Sequence, residues 1–412
     1  MSSRDVEVVV IGGGAAGVAA AKRLCQASIR CLVVEARPRL GGRAWTVTDA
    51  SGFALDLGCG WLHSADRNPW TGVAEEHGVA IDKTPPPWTR SAFELGFPHA
   101  EQDEFQDAMA AFFARVERAA QSEKDVAAST LLKPDCRWNG LIGAIGTYMA
   151  GVDLDRLSVK DLDRYDDTGI NYRVFEGYGS LISGYGAGVP VTLDCPVRGI
   201  DHRGNRLRVE TDKGAIAADQ AVVTIPSAVL AAEHVVFTPA LPEKIQAARA
   251  LPLGLADKLF IGLDGAEEFD KEVRVFGHID RNRTAGYHFR PFGRPMIEAY
   301  FGGGFAAELE TGGEAAFFDF AVSELVRLFG SEFARRLKPI RMHCWGHDRF
   351  SLGSYSCALP GFADCRQTLA EPVDNRLFFA GEACSRNDFS TAHGAWFTGA
   401  AAADQVIAAR GS

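Results

Sequence analysis

The hydrophobic pattern of the first 35 residues changes from that of a buried strand to that of a helix. Residues 6–11 form an apolar run, a glycine turn follows, and an alanine-rich segment continues to residue 24. Residues 31–34 form a second short apolar run, which Glu35 closes. This order of strand, turn, helix and strand predicts the first unit of a parallel sheet.

The glycine turn in this unit has the spacing of a dinucleotide-binding loop. Gly12 permits a tight turn, Gly14 lets backbone approach a pyrophosphate, and Gly17 lets the helix pack on the strand. The start of the helix, around Ala16, offers free N–H groups to phosphates. Glu35 follows Gly17 by 18 positions, where an acid binds ribose hydroxyls. The segment therefore predicts dinucleotide binding.

The middle of the chain changes to helical spacing. A proline run at 85–87 marks a break, and residues 104–120 have apolar positions at helical intervals. Residues 139–150 and 156–164 are helical or mixed in pattern. We therefore predict that residues 78–189 are mostly helical and form a wall or cap of a substrate chamber.

Strand patterns return after residue 190. Short alternating or apolar runs lie at 190–193, 197–200, 207–211 and 221–226, and further ones begin at Lys258 and at 296. Residues 302–307 have the glycine spacing of a second dinucleotide-binding loop, but no strand that ends in an acid follows them. Residues 314–329 instead have the pattern of one amphipathic helix. The sequence thus predicts a structural turn at 302–307 and only one dinucleotide fold.

Composition excludes several classes of protein. The chain has 412 residues, of which 47% are hydrophobic and 23% charged, which suits a soluble protein of two to three domains. A net charge of −10 without a basic run argues against nucleic acid and mildly suits a cationic substrate. Nine scattered cysteines without a C-x-x-C pair argue against a disulfide framework and a metal site.

The expected location is cytoplasmic. The first strand begins too early for a leader peptide, and no apolar run is long enough to span a membrane.

Two more segments look suited to phosphate or to a flat ring. Gly42-Arg43 predicts a loop whose backbone closes on a phosphate while the guanidinium neutralises it, with a solvated basic turn as the alternative. Residues 53–63 predict a strand that runs into another glycine-rich turn and ends at His63.

Three motifs together resemble the flavin-containing amine oxidases, a family that includes monoamine oxidases, polyamine oxidases and related histone demethylases. The motifs are GGGAAG, EARPRLGGR and DLGCGWLH, in this order. The family usually has a glycine where Cys59 stands. The resemblance implies an α/β chain with a Rossmann-type FAD-binding domain of the glutathione-reductase-like superfamily and an interleaved substrate domain of sheet and helices.

The implied organisation alternates between the two domains. Residues 1–77, 190–257 and 346–412 would form the FAD-binding domain. Residues 78–189 would form the helical region of the substrate domain, and residues 258–345 its sheet and helices.

The resemblance also implies the FAD contacts. Val197 would pair its backbone with the adenine, and Gly381-Glu382 would contact the ribityl and pyrophosphate groups. The helix after Ser390 would point its N-terminus at the flavin N1–C2=O edge. The full set of predicted FAD-binding residues is Gly12, Gly14, Ala16, Gly17, Glu35, Ala36, Arg37, Gly42, Arg43, Gly60, Trp61, Val197, Trp345, Gly381, Glu382, Thr391 and Ala392.

We predict non-covalent FAD. Ser354 stands where some family members attach the flavin through a cysteine, and Cys357 lies two residues beyond Tyr355.

The implied reaction is hydride transfer from the carbon next to an amine nitrogen to flavin N5. It gives an imine, then an aldehyde or ketone, together with H2O2 from O2. Lys258 would hold a water against N5, and Tyr355 and Trp396 would flank the amine as an aromatic pair. His63 would face the substrate, or alternatively pack against backbone. The expected partners are a small amine and O2, and a homodimer is a candidate assembly.

Two other functions use the same scaffold. One is a carbon–carbon desaturase similar to protoporphyrinogen oxidase or the carotenoid desaturases, and the combination of Lys258, Tyr355 and Trp396 favours the amine reaction over it. The other is a non-catalytic binding module similar to the Rab escort proteins, against which the intact Glu35 and Arg43 argue. The amine itself is not identified: two arginines at positions 290 and 294 are candidates for a substrate carboxylate, with surface positions as the alternative.

Overall fold

The fold of the protein comes from a computed structural model that describes residues 4–411, with strands and helices numbered in chain order. The strands are β1 (Arg4–Ile11), β2 (Cys31–Val34), β3 (Thr46–Thr48), β4 (Ala54–Asp56), β5 (Ile81–Asp82), β6 (Arg173–Val174), β7 (Val191–Thr192), β8 (Val197–Asp201), β9 (Leu207–Thr211), β10 (Gly214–Val223), β11 (Val236–Thr238), β12 (Leu253–Gly254), β13 (Ala256–Leu263), β14 (Val273–Phe276), β15 (Gly286–Phe289), β16 (Met296–Gly302), β17 (Leu337–Met342), β18 (Tyr355–Ser356) and β19 (Leu377–Phe379). The helices are α1 (Ala15–Gln26), α2 (Pro69–Glu76), α3 (His99–Ala120), α4 (Asn139–Ala150), α5 (Val159–Arg164), α6 (Tyr178–Tyr185), α7 (Ser227–Ala231), α8 (Pro242–Ala250), α9 (Gly303–Glu310), α10 (Gly313–Phe329), α11 (Cys365–Ala370) and α12 (Ala392–Gly411).

The larger sheet is built around β1. Strand β1 pairs in parallel with β2 on one side and with β10 on the other, and β19 also pairs in parallel with β10. The middle of β1, residues 8–10, is fully buried, as expected for a parallel strand covered on both faces. Helices α1 and α12 pack closely, since a Cβ atom at Gly399 would lie 2.2 Å from the Ala16 carbonyl oxygen. The predicted α/β fold with an N-terminal Rossmann unit is confirmed.

The glycine turn after β1 has the strained geometry that its spacing predicts. Gly12 has a φ of +104°, a conformation that favours glycine. A Cβ atom on Gly17 would lie 1.9 Å from the Gly12 carbonyl oxygen, so any side chain there would separate α1 from β1. Gly17 therefore serves packing.

The smaller sheet is antiparallel, with strands in the order β14–β15–β16–β13–β17. Its apolar face carries Ile261, Ile297 and Phe301, which belong to one buried cluster with Phe317 and Leu325 of α10. The predicted strands from 258 and 296 and the helix at 314–329 are confirmed. Because side chains alternate along each strand, the other face of this sheet is left for different neighbours.

The residues at 302–307 form the junction between β16 and α9. A Cβ atom on Gly302 would lie 2.5 Å from the Thr147 carbonyl oxygen, and the Gly304 N–H donates to Asp153 Oδ2 at 2.9 Å. These contacts are the close packing that a structural turn requires.

The helical region is fixed to the C-terminal part of the chain by a buried ion pair. Helices α3, α4 and α5 lie where helical spacing predicts them. On α5, Asp161 binds Arg366 in a bidentate pair, with N–O distances of 2.7 and 2.8 Å. Asp161 is 0% and Arg366 1% exposed. Neither charge contacts water, so each is stabilised by the other.

Several further predictions concern what the chain lacks. All nine cysteines are free. Within residues 4–411, no group of side chains is arranged to hold a metal ion, and no helix has the length and hydropathy needed to cross a membrane. The division into five segments stays a prediction.

We expect Asp161→Ala to destabilise the protein by about 3–5 kcal/mol, because it leaves the Arg366 guanidinium buried without its partner. Asp163→Ala is the matched control, since Asp163 is an exposed carboxylate on the same helix, and it should change the free energy of unfolding by less than about 0.5 kcal/mol. Urea unfolding of both variants measures the difference. Equal losses in the two variants would contradict the assignment.

Candidate active site

One large cavity of about 870 Å³ lies between the two sheets and the helical region. This volume is within the range of ligand sites. The predicted FAD-binding residues line it, with the exception of Gly17, which lies behind Gly12. Lys258, Tyr355 and His63 line it as well, whereas Trp396 does not. The folded chain therefore brings together candidates from its first 63 and its last 70 residues.

At one end of the cavity, Glu35 closes the glycine turn. Its two carboxylate oxygens accept hydrogen bonds from the backbone N–H groups of Gly13 at 2.6 Å and of Arg37 at 2.7 Å. The Arg37 guanidinium in turn pairs with Asp348 at 2.6 Å. These bonds hold Glu35 at the carboxyl end of β2, where the sequence places an acid for ribose.

Arg43 and Glu382 connect the two ends of the chain inside the cavity. Arg43 Nη1 lies 2.8 Å from Glu382 Oε1 and also donates to the Ser354 carbonyl oxygen at 2.8 Å. Glu382 accepts further bonds from Ser356 Oγ and from the Ser390 N–H. Burial raises the pKa of Glu382, but Arg43 and these bonds outweigh it, so the net pKa is lowered and the carboxylate stays charged.

The N-terminus of α1 faces the same cavity. The helix begins at Ala15 after Gly14, without a capping side chain and without an acid in its first turn. Its free N–H groups and positive dipole end are therefore available to an anion. Gly14 lies against Gly42, whose φ is +61°, so the two backbones meet without side chains between them. This end of the cavity fits the pyrophosphate of a dinucleotide.

The polar face of the smaller sheet forms a wall of the cavity. Residues 258, 300 and 286 are cross-strand neighbours, and residues 298, 288 and 274 form the next row. Every second residue of these strands thus points away from the apolar cluster. This face presents Lys258, Tyr300, His288 and Arg274 to the cavity.

Lys258 is held by a buried carboxylate. Its Nζ lies 3.2 Å from Glu298 Oε1, and the two side chains are 8% and 12% exposed. Gly60 lies above it, since a Cβ atom at Gly60 would be 3.3 Å from the Lys258 Nζ. The ammonium group is therefore fixed beside the Gly60-Trp61 turn, at the cavity wall.

The charges continue away from Lys258 along the sheet. His288 Nε2 lies 2.6 Å from Glu272 Oε2, and Glu272 Oε1 lies 2.8 Å from Arg173. Burial alone would raise the pKa of Glu272, but His288 and Arg173 lower it to about 2. Arg173 also pairs with Asp82 at 2.7 Å. Each buried carboxylate on this face thus has a cationic partner.

His63 lies at the cavity beside Trp88, with ring centroids 6.3 Å apart. Its Nδ1 is 2.6 Å from Asn171 Oδ1. Burial lowers the pKa of His63 more than this hydrogen bond raises it, which favours the neutral ring at pH 7. His63 therefore lines the cavity, and its hydrogen bond is to a side chain rather than to backbone as the alternative expected. Its contact with a substrate stays a prediction.

The predicted aromatic pair is wrong in one member. Tyr355 lines the cavity and donates its hydroxyl to the Tyr148 carbonyl oxygen. Trp396 instead packs edge-on against Trp70, at 4.6 Å between ring centroids, and against Tyr185. Ala395 lines the cavity, and one residue further along an α-helix is about 100° further round it, which turns Trp396 away.

Between residues 390 and 396, those that line the cavity are Ser390, Thr391, Ala392 and Ala395. They are small residues, so this side of the site is wider than the predicted pair implies.

Trp61 and Trp345 complete the aromatic lining. The Trp345 indole N–H donates to the Leu57 carbonyl oxygen at 3.0 Å, which fixes its ring. Trp61 contacts Trp88 edge-on at 4.5 Å, and Arg173 lies over its ring at 4.8 Å. Val197, the first residue of β8, lies at the Glu35 end of the cavity, since the nearby Cys195 N–H donates to the Glu35 carbonyl oxygen at 2.8 Å.

Sequence reasoning missed several residues that line the cavity, among them Trp88, Tyr148, Arg274, His288 and Tyr300. For the strand residues, the runs at 273–276 and 286–289 are too short to show which face is inward. The two arginines named as candidates for a substrate carboxylate lie outside the cavity. Arg290 donates to the Phe269 carbonyl oxygen, and Arg294 donates to that of Ala54.

Comparison with known proteins decides the family. Residues 15–96 and 147–407, more than half of the chain, match the family described as flavin containing amine oxidoreductase. The chain belongs to this family. It is therefore an FAD-dependent amine oxidoreductase, and the predicted oxidoreductase, flavoprotein and amine-oxidase character is confirmed.

Individual relatives agree with this assignment. The chain is 30% identical to polyamine oxidase 4 of Oryza sativa subsp. japonica, over 97% of this chain and 88% of the relative. It is 29% identical to polyamine oxidase 2 of Arabidopsis thaliana, over 98% of this chain and 88% of the relative. A solved putrescine oxidase, redesigned in its cofactor binding, has the same fold. The TM-score is 0.79 at 18% identity, covering 99% of this chain and 100% of the other.

We expect Glu35→Gln to raise the Kd for FAD about tenfold or more, because a charged hydrogen-bond acceptor at the predicted ribose position is lost. Glu210→Gln is the matched control, since it removes the same charge from an exposed position on the same sheet. Fluorescence titration of the two apoproteins with FAD measures both constants. Unchanged affinity in Glu35→Gln would remove Glu35 from the FAD site.

Proposed function

We propose that this enzyme oxidises the C–H bond next to an amine nitrogen and uses O2 as the electron acceptor. Bound FAD supplies hydride acceptance at N5 and the later reduction of O2 to H2O2. The imine product hydrolyses to an aldehyde or ketone and an amine or ammonia. The observation that carries the proposal is the position of Lys258, which the Glu298 carboxylate holds at the wall of the cavity.

Lys258 would bind a water molecule through its ammonium group. An ammonium group has three N–H donors, and the Glu298 carboxylate at 3.2 Å engages one of them. Among the described residues no other group binds Nζ, so the remaining donors can orient that water. A positive charge fixed at this wall also favours negative charge that develops on oxygen.

The helical region would keep the reacting end of the cavity dry. Apolar side chains from α3 and α4, among them Met109, Phe113 and Ile145, line the cavity together with Leu157, although Gln106 and Asp167 of the same region also line it. Such walls disfavour a charged ammonium and so favour the neutral amine, whose nitrogen lone pair assists loss of hydride from the adjacent carbon. Tyr355 adds an aromatic edge, and the neutral His63 adds a polar atom without a charge.

The polyamine specificity in the relatives' names is not part of this proposal. The carboxylates that line the described cavity are Glu35 and Glu382, at the FAD end, and the exposed Asp167. A cytoplasmic location and a homodimer also stay predictions.

The direct test is anaerobic mixing of the purified yellow protein with a panel of amines. We expect at least one amine to bleach the flavin absorbance, and admission of air to restore the colour with release of H2O2. If no amine bleaches the flavin although dithionite does, the proposal is wrong.

We expect Lys258→Met to slow turnover or flavin reoxidation about 100-fold or more while FAD remains bound, because the group that orients water is lost. Lys338→Met is the matched control on the same sheet, where Lys338 is exposed and pairs with Asp264. Stopped-flow absorbance separates the two half-reactions. Near-normal rates in Lys258→Met would rule out this role.

We also propose that FAD is not covalently attached. Cys59 and Cys357 line the cavity, and burial raises the pKa of each thiol to about 12, so both stay protonated at neutral pH. A protonated thiol is a poor nucleophile. Acid precipitation should therefore release the yellow colour into the supernatant, and colour that remains with the pellet would contradict the proposal.

A further inference from the structure

Arg274 is an arginine inside the cavity without an acidic partner. It lies on β14 in the row of the polar sheet face that also contains His288 and Glu298. Among the residues that the structure describes, its guanidinium makes no hydrogen bond or ion pair, and it lies 4.2 Å from the centroid of the Phe276 ring. The other cations that have been described on this face each have a carboxylate partner.

The two carboxylates near Arg274 on this face, Glu272 and Glu298, are bound to other cations. Burial lowers the pKa of Arg274 to about 10, opposed only by Tyr148, so the group remains charged at neutral pH. The face of a phenyl ring replaces only part of the hydration that a guanidinium loses. Arg274 is half-buried at the cavity wall, and an anionic group that enters the cavity would supply the partner that the protein does not.

The neighbour of Arg274 offers a second unsatisfied polar atom. His288 is directly opposite Arg274 on β15 and is 2% exposed. Its Nε2 is bound to Glu272, whereas its Nδ1 has no hydrogen-bond partner and lies 3.9 Å from Glu298 Oε2. Both side chains line the cavity. The His288 Nδ1 is buried and faces the Glu298 carboxylate, so Arg274 is the group in the row that a ligand in the cavity can reach.

The distance from the reacting end limits what this ligand can be. Lys258 and Arg274 lie on β13 and β14, which are three strand spacings apart in the sheet, or about 14 Å. A carboxylate on the carbon that is oxidised, as in an α-amino acid, would not reach Arg274. A linear molecule with an amine at one end and an acid at the other would.

We propose that the substrate is an amine with a carboxylate or similar anionic group at its far end, and that Arg274 binds this group. The proposal rests on the amine-oxidase function above. A second ammonium group, as in a polyamine, would meet the unpaired positive charge of Arg274 and be repelled. The same wall would therefore select an acid-bearing amine and reject a diamine of equal length.

The test compares three substrates of equal length on the holoenzyme: a linear ω-amino acid, the monoamine and the diamine, over a series of increasing chain lengths. At the best length, we expect kcat/KM for the ω-amino acid to exceed that for the diamine about tenfold or more. A preference for the diamine at every length would overturn the proposal. If the monoamine bleaches the flavin in that case, the amine-oxidase function still holds.

A charge substitution tests the residue itself. We expect Arg274→Gln to raise KM for the ω-amino acid about tenfold with little change in kcat, since the lost contact is remote from the reacting carbon. The KM for the monoamine should change less than about threefold, because it carries no group for Arg274. Arg274→Glu should reverse the preference toward the diamine.

Arg341→Gln is the control, because it removes the same charge from an exposed position on β17 of the same sheet. Equal effects of Arg274→Gln on all three substrates would show a structural role and overturn the proposal. The wild-type preference decides the question even if the variants do not fold.

Discussion

The pairing of β1 with β2 and β10 is the contact on which the site depends. Where they meet, at residues 8–11, 31–34 and 221–223, these strands are apolar and buried on both faces, and each buried valine or isoleucine contributes about 1.5–3 kcal/mol. Parallel pairing places the carboxyl ends of β1, β2 and β19 at one edge of the sheet. Gly12 and Glu35 follow the first two ends directly, and Gly381 lies two residues after the third. The hydrophobic sheet thus determines where the FAD-binding groups meet. The Arg43–Glu382 ion pair then joins the N-terminal and the C-terminal groups of these residues.

The smaller sheet differs from the larger one because it carries buried charged side chains on one face and part of the apolar core on the other. One face of its strands packs against α10, while the other carries Lys258, Glu298, His288 and Arg274. Burying such groups without partners would cost several kcal/mol each. Lys258, Glu298 and His288 have protein partners within the same row or the next. Arg274 does not, and this difference separates the residues that the fold satisfies from one that is open to a ligand.

The sequence could predict the FAD end of the site but only part of the substrate end. The FAD residues lie in short local motifs, where spacing and strand ends determine position. Trp396 was misplaced because its side chain depends on the phase of α12, and one residue turns a helix by about 100°. Arg274 was missed because the run at 273–276 is too short to show which face is inward. Only pairing with β15 and β16 fixes that register.

The net charge of the chain is a poor guide to its substrate specificity. A chain with a charge of −10 suits a cationic ligand at long range, where exposed carboxylates act together. Salt screens such fields over about 10 Å, whereas groups within a cavity act at contact distance and in lower polarity. The lining of this cavity has three carboxylates against five arginines and one lysine. The net charge therefore attracts cations at long range, whereas the remote wall of the cavity carries an unpaired positive charge that would bind the acid of an acid-bearing amine.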